Sequence, residues 1–359
     1  MWRTRSVTEQ VLKSWDDASP ALVFPLTDIR NPLSELHKFI FDGLPVRGML
    51  VRLTDGWQEV LKRRQGQGDN ATGPFPEPVR ALLGEMAAAG VLMQANIKFN
   101  GALVLQMHGD GPVKLAVAEV QSDLAFRVTA NVAGEVAPGA QVEAMLNVHG
   151  KGRCAITLDP KDKLPGQTPY QGVVPLHGDQ REPLQRLSEV LEHYMLQSEQ
   201  LDTKLILAAN DQVAAGLLIQ RLPVEGKGNI GQARDEDEIG LKEAYNRIAH
   251  LAATLTPEEL LSLDADTVLH RLFWEEPLLR FEPQTGPQAP RFACTCSRER
   301  VSHMLRSLGV QEVESILEEQ GRIDIGCEFC GQHYLFDAVD AAELFVPPGN
   351  QAPGSRAVN

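Results

Sequence analysis

No stretch of this 359-residue chain stays apolar for the ~20 residues that a membrane-spanning helix needs, so no membrane role is expected. Positive charge is also short. Lysine and arginine total 34 against 48 aspartates and glutamates, a net charge of −14. Binding to a nucleic-acid backbone requires the opposite balance, so a nucleic-acid partner is not expected either. The opening segment MWRTRSVTEQVLKSWDD has two arginines but lacks the apolar core of a secretory signal, and a cytoplasmic location is expected. Catalytic signatures are missing as well. There is no His-Glu-x-x-His, and Gly109-Asp110-Gly111-Pro112 reads as a turn, without the Lys-Ser/Thr of a phosphate loop. A zinc deaminase needs Pro before its Cys-x-x-Cys, but here Cys327 follows Gly326. An enzyme is therefore not the favoured reading.

What the chain does have is ordinary globular composition, 43% hydrophobic and 23% charged, at a length suited to two or three domains. The acidity is uneven. Residues 225–290 carry net −7 and residues 291–346 net −5, which leaves only −2 for the remaining 237 residues. The acidic C-terminal third is thus the part least suited to nucleic acid.

The pattern predicts an α+β protein: an N-terminal domain of sheet plus helices, a helical linker and a small C-terminal four-cysteine domain. Residues 1–30 read as an extension, 31–224 as the α+β core domain, 225–290 as the linker, 291–346 as the zinc-binding domain and 347–359 as a disordered tail. A helix is expected from Pro32 through Leu33, Leu36, Phe39 and Ile40, a strand over Val46–Leu53, a surface loop over Lys62–Pro78 and a helix over Val79–Met93. Short apolar runs at Ala102–Met107, Val113–Val120, Phe126–Val132 and Ala155–Leu158 read as strands. A helix over Pro183–Leu196 and strands at Lys204–Ala208 and Leu217–Leu222 complete the core.

In the linker, Gly226–Asp237 reads as polar and turn-rich and Glu238–Leu255 as a helix. Thr256-Pro257-Glu258-Glu259 combines an N-cap, a proline at the first helical position and a capping-box glutamate, and Asp266 is expected to cap a helix ending at Phe273. Helices this short are marginal in water and need a surface to dock on. Further on, Ser297 is expected to cap a helix stopped by Gly309, followed by a helix over Gln311–Gln320 and two strands, Arg322–Ile325 and Gln332–Phe336, flanking a turn through Cys327–Gly331.

The cysteines carry the chemistry. Cys294-Thr295-Cys296 is followed after 30 residues by Cys327-Glu328-Phe329-Cys330. Two close pairs suit a tetrahedral four-thiolate zinc site with ligands Cys294, Cys296, Cys327 and Cys330. Such a site is closed and leaves no position for an activated water. His303 and His333 read as surface or packing residues, Cys154 as a half-buried strand thiol, and Glu199 and Asp202 as solvated or helix-end residues. About 55 residues rarely bury enough surface to fold alone, and structural zinc supplies roughly 10–16 kcal/mol of apparent binding free energy. The small domain is expected to fold with zinc and to unfold without it. Oxidation would join each cysteine to its near neighbour, as Cys294–Cys296 and Cys327–Cys330 disulfides, and expel the metal. On spacing alone a permanent structural site stands ahead of a redox switch. A constitutive zinc-ribbon interaction module and a thiol oxidoreductase built on Cys327 and Cys330 also stay open at this point.

The zinc block, Cys294-Thr295-Cys296-Ser297-Arg298-Glu299-Arg300 and Cys327-Glu328-Phe329-Cys330-Gly331 followed by His333-Tyr334-Leu335-Phe336, resembles that of the 33-kDa heat-shock chaperonin family, bacterial redox-regulated holdases. Val46-Arg47-Gly48, Gly109-Asp110-Gly111-Pro112, Tyr170-Gln171-Gly172-Val173-Val174 and Gln197-Ser198-Glu199-Gln200 extend the resemblance over residues 30–346. Residues 1–30, the 62–78 loop and the tail stand outside the family pattern. The resemblance implies that the reduced, zinc-bound protein is inactive. Oxidation to the two disulfides would release zinc, unfold the C-terminal domain and destabilise the linker. The protein would then dimerise and hold unfolding client proteins without ATP.

Overall fold

The computed structural model describes residues 33–65, 73–163, 166–223 and 235–346. The calls made for residues 1–30, for 347–359 and for most of Gly226–Asp237 lie outside them. Among the described residues the chain forms β1 (Glu35–Phe41), β2 (Val46–Leu53), α1 (Asp55–Gln65), α2 (Glu77–Asn96), β3 (Gly101–His108), β4 (Val113–Gln121), β5 (Ala125–Val132) and α3 (Val142–Leu146). There follow β6 (Arg153–Pro160), β7 (Tyr170–Pro175), α4 (Leu187–Glu199), β8 (Thr203–Ala209), β9 (Ala214–Arg221), α5 (Asp235–Ala253), α6 (Pro257–Ser262), α7 (Ala265–Phe273), β10 (Leu278–Arg280) and β11 (Arg291–Phe292). The last elements are α8 (Arg298–Leu308), α9 (Val310–Gln320), β12 (Ile323–Gly326), β13 (His333–Phe336) and α10 (Ala338–Leu344). The α+β class expected from the sequence is what the structure has.

Two sheets make the body. One runs β10-β1-β2-β9-β8 and the other β11-β5-β4-β3-β6-β7. Neighbours are antiparallel except β11, which lies parallel to β5. Helix α2 packs on strands of both sheets and is buried along almost its whole length, from Val79 to Gln94. That explains its glycines. A Cβ at Gly84 would stand 2.4 Å from the Ala209 Cβ, so the helix approaches the sheet closer than any side chain permits.

The first sheet is covered on both faces, and its period-two alternation sorts side chains between two cores. On β9, Ala214 and Leu218 face α2, while Ala215, Leu217 and Ile219 face away. That second face is covered by α5, α6 and α7 through Tyr245, Ile248, Leu255, Leu260, Val268, Leu269, Leu272 and Phe273. Phe273 packs edge-on to Phe41 with centroids 5.1 Å apart and lies 6.2 Å from Phe39. Arg52 on β2 adds a polar anchor, donating to the Leu260 carbonyl at 2.6 Å and to that of Leu261 at 3.1 Å. The end of α6 is thereby satisfied by the sheet it rests on.

Several expectations need correction. Leu36 and Phe39 lie on strand β1 rather than on a helix from Pro32. The strand has one face in each core, so it is buried on both sides and loses its alternation. Lys62–Gln65 close helix α1 and Glu77 opens α2, so the expected 62–78 loop is shorter at both ends. Helix α4 begins at Leu187, four residues later than Pro183. The cap of α7 is Asp264, whose side chain accepts from Thr267 N at 2.9 Å, and Asp266 lies within the first turn. The stretch expected to be a helical linker also contains β10, paired to β1. Thr256 forms the expected capping box.

Candidate metal centre

The first half of the centre hangs from the second sheet. Ala293 N donates to the Phe126 carbonyl at 3.1 Å, continuing the register of β11 on β5, and Cys294 follows directly. Ser297 then caps α8, accepting from Arg300 N at 3.2 Å. The second half is the turn between β12 and β13. Cys327 N donates to the Gln332 carbonyl and Gly331 N to the Cys327 carbonyl, both at 2.8 Å. Gly331 closes the turn at φ +69°, a left-handed conformation that suits glycine. Behind the turn stands a small core of Leu305, Val313, Ile323, Phe336 and Ala341.

These two halves bring the ligand atoms of Cys294, Cys296, Cys327 and Cys330 within 4.8 Å of one another, positioned to hold a metal ion. A tetrahedral ion with bonds of ~2.3 Å sets its sulfurs ~3.8 Å apart. Two sulfur contacts cross between the halves, Cys294–Cys327 at 3.6 Å and Cys296–Cys330 at 3.4 Å. Proximity therefore does not single out the pairs adjacent in sequence.

Tyr334 and Arg127 donate to the sulfurs. Tyr334 Oη reaches Cys296 Sγ at 3.1 Å, and Arg127 Nη1 reaches Cys294 Sγ at 3.7 Å. Burial raises the Cys294 thiol, but hydrogen bonds from Cys296, Arg127 and Cys330 outweigh it and bring it down to about 7. Burial and the neighbouring sulfurs push Cys327 and Cys330 up. Four crowded sulfurs cannot all ionise without a cation among them, and a divalent metal resolves that conflict.

The other candidates lie apart. Cys154 is fully buried in β6, and burial pushes its thiol up to about 12, so it is more deeply placed than the half-buried strand thiol expected. His333 Nδ1 lies 2.7 Å from Asp324, and neither it nor His303 belongs to the sulfur cluster. Asp202 pairs with Arg221 at 2.7 Å, and Glu199 ends α4 and accepts from Tyr170 and Tyr194. Arg127 and Tyr334 were not foreseen. Arg127 lies 167 residues from Cys294 in the chain, and its only sequence signal is one charge inside the apolar run Phe126–Val132.

Fold and site together define a two-sheet α+β protein that carries a four-cysteine, metal-ready module at its C-terminal side. Residues 34–337 match the model of the family described as Hsp33 protein, and the chain belongs to that chaperone family. The 33 kDa chaperonin of Chromobacterium violaceum is 46% identical over 316 residues, covering 88% of this chain and 95% of that protein. The 33 kDa chaperonin of Neisseria meningitidis serogroup A is 43% identical over 309 residues, covering 86% and 90%. The crystal structure of the 33 kDa chaperonin from Thermotoga maritima shares the fold, with a TM-score of 0.65 at 21% identity over 86% of this chain and 97% of that one. No helix among the described residues is long and apolar enough to cross a membrane.

Proposed function

We propose that this protein is a redox-regulated, ATP-independent holdase whose resting state is held by zinc on Cys294, Cys296, Cys327 and Cys330. The observation that carries the reading is the closed four-sulfur cluster on a module whose own core is very small. Four sulfurs at tetrahedral reach select zinc over magnesium or calcium, which take oxygen ligands. The bound ion would supply the folding free energy that the small core lacks.

Each oxidation step is a two-electron transfer. A thiolate attacks peroxide, taking one oxygen to become a sulfenic acid and releasing hydroxide. A second thiolate then attacks that sulfur, forming the S–S bond and expelling the oxygen as hydroxide, which protonates to water. Two such rounds turn four thiolates into two disulfides. We assign these to Cys294–Cys296 and Cys327–Cys330, because each pair stays tethered once the metal leaves, whereas the cross-half contacts depend on the folded module. Disulfide sulfur is a poor zinc ligand, so the module loses its stabiliser.

The described residues suggest how that loss spreads. Residues 225–290 act as a linker in this reading, set between the core domain at 31–224 and the switch domain at 291–346. Its helices persist by packing on β1, β2, β8 and β9. When they lift off, the apolar faces of helices and sheet become available to unfolding clients, and two activated chains associate as a homodimer. Metal content and suppression of client aggregation, followed together through peroxide treatment, test this reading. A second reading, a constitutive zinc-ribbon interaction module, would leave partner binding unchanged by oxidation.

A further inference from the structure

Only one side chain of the N-terminal sheets bonds to a cysteine sulfur among the described residues. Arg127 leaves the middle of the second sheet on β5, directly across from Glu119 on β4. Its Nη2 lies 2.6 Å from the Glu119 carboxylate, its Nη1 reaches Cys294 Sγ at 3.7 Å, and its guanidinium stands 4.2 Å over the Phe329 ring. It thus grips both halves of the centre at once, Cys294 by charge and the Cys327–Cys330 turn through Phe329. Two residues along β5, Thr129 Oγ1 donates to the Glu328 carbonyl at 2.9 Å. The nearby arginines of α1 make contacts of a different kind: Arg64 stands over the Phe75 ring and feels the charge of Glu328, and Arg63 stands over Phe292.

We propose that Arg127 is a charge-sensing latch, a positioning residue that, braced by Glu119, holds the thiolate form of the centre against β5 and lets the disulfide form go. This rests on the redox reading above. With the metal bound, four thiolates and one divalent ion leave the centre net negative beside a half-buried guanidinium. A bond from a charged donor to a charged acceptor is the strong kind. Conversion to two neutral disulfides removes the charge on Cys294 while Arg127 stays fixed by Glu119. The latch therefore opens in the same chemical event that expels the metal, and the module leaves β5 rather than collapsing in place. The weaker Thr129 contact then has nothing to keep it in register.

The test compares full-length wild type, Arg127→Met and Arg127→Lys, all reduced and loaded with one zinc per chain. Methionine keeps bulk over Phe329 without charge, and lysine keeps the charge. Hydrogen exchange is read at Cys327–Gly331 and along Ala125–Val132, with zinc content measured in parallel. The expected result is exchange faster by about tenfold or more in Arg127→Met with zinc retained, and near-wild-type protection in Arg127→Lys. Wild-type protection in Arg127→Met, equal loss of protection in both variants, or loss of zinc along with protection would each overturn the latch. The redox reading is judged separately: unchanged exchange in peroxide-treated wild type overturns that reading, whereas the Arg127 comparison is made wholly in the reduced state.

Discussion

Phe273→Ala removes the last side chain of α7 from its contacts with Phe39 and Phe41, the aromatic group through which α7 packs on the first sheet. Phe273 is 2% exposed, with ring centroids at 5.1 Å from Phe41 and 6.2 Å from Phe39. Truncating a buried phenylalanine costs ~3–5 kcal/mol, of which the lost edge-to-face contact with Phe41 contributes about 0.5–1.5 kcal/mol. Most of that cost falls on docking, because Phe273 contacts the sheet rather than the core of the metal module. At ~1.4 kcal/mol per decade, the docking equilibrium moves by roughly a hundred- to several-thousand-fold. The substitution leaves all four cysteines and their backing residues in place. The reduced protein should therefore keep its zinc, exchange the amides of Ile248–Phe273 much faster than wild type, and suppress client aggregation without oxidant. Hydrogen exchange and zinc titration on the same sample check it. Reduced Phe273→Ala with wild-type protection over α5–α7 would refute the claim that this apolar face holds the linker down.

Other perturbations separate the remaining parts of the account. A tight chelator applied to the reduced protein should unfold residues 291–346 while the two-sheet body keeps its cooperative melt; far-UV circular dichroism and calorimetry read both. Cys296→Ser should weaken zinc binding by orders of magnitude, whereas Cys154→Ser, buried in β6 away from the cluster, should leave zinc content unchanged. In the metal-free reduced protein, the four cysteines of the unfolded 291–346 segment should alkylate readily, whereas Cys154, buried in β6 with its thiol pushed up to about 12, should stay inert until the two-sheet body unfolds, as peptide mapping would show. Burial holds the carboxyl of Glu85 on α2 up to about 8, against the opposing charge of Arg186. The folded state therefore binds this proton more tightly than the unfolded chain. Its contribution is complete below the usual glutamate range and is lost as pH rises toward 8. Glu85→Gln should melt higher than wild type above pH 8, with the gap closing toward pH 5.

Legibility in the sequence followed locality. Helix ends were readable where the cap sits beside the helix it starts, as with Thr256 at α6 and Ser297 at α8, because the donors and acceptors lie within three residues. The sulfur cluster was readable because each half supplies two ligands from one short segment. Strand β1 was misread because both of its faces are buried, which hides the alternation that marks a strand. The sequence points to Asp266 as the cap of α7, whereas the bond from Thr267 N puts the cap two residues earlier, at Asp264. Arg127 was out of reach, since its partners come from β4 and from a turn some two hundred residues later. The contacts that tie the metal module to the body are thus tertiary, while the metal site itself is encoded locally.

The most direct test of the central claim is one time course. Reduced, zinc-loaded protein is treated with peroxide at mild heat, and zinc release is recorded beside light scattering of a thermally unfolding client. The account predicts that suppression of aggregation is absent before oxidation and rises with zinc release, and that mapped products contain Cys294–Cys296 and Cys327–Cys330 bonds. Full suppression by the reduced protein, or zinc release with no gain in suppression, would contradict it.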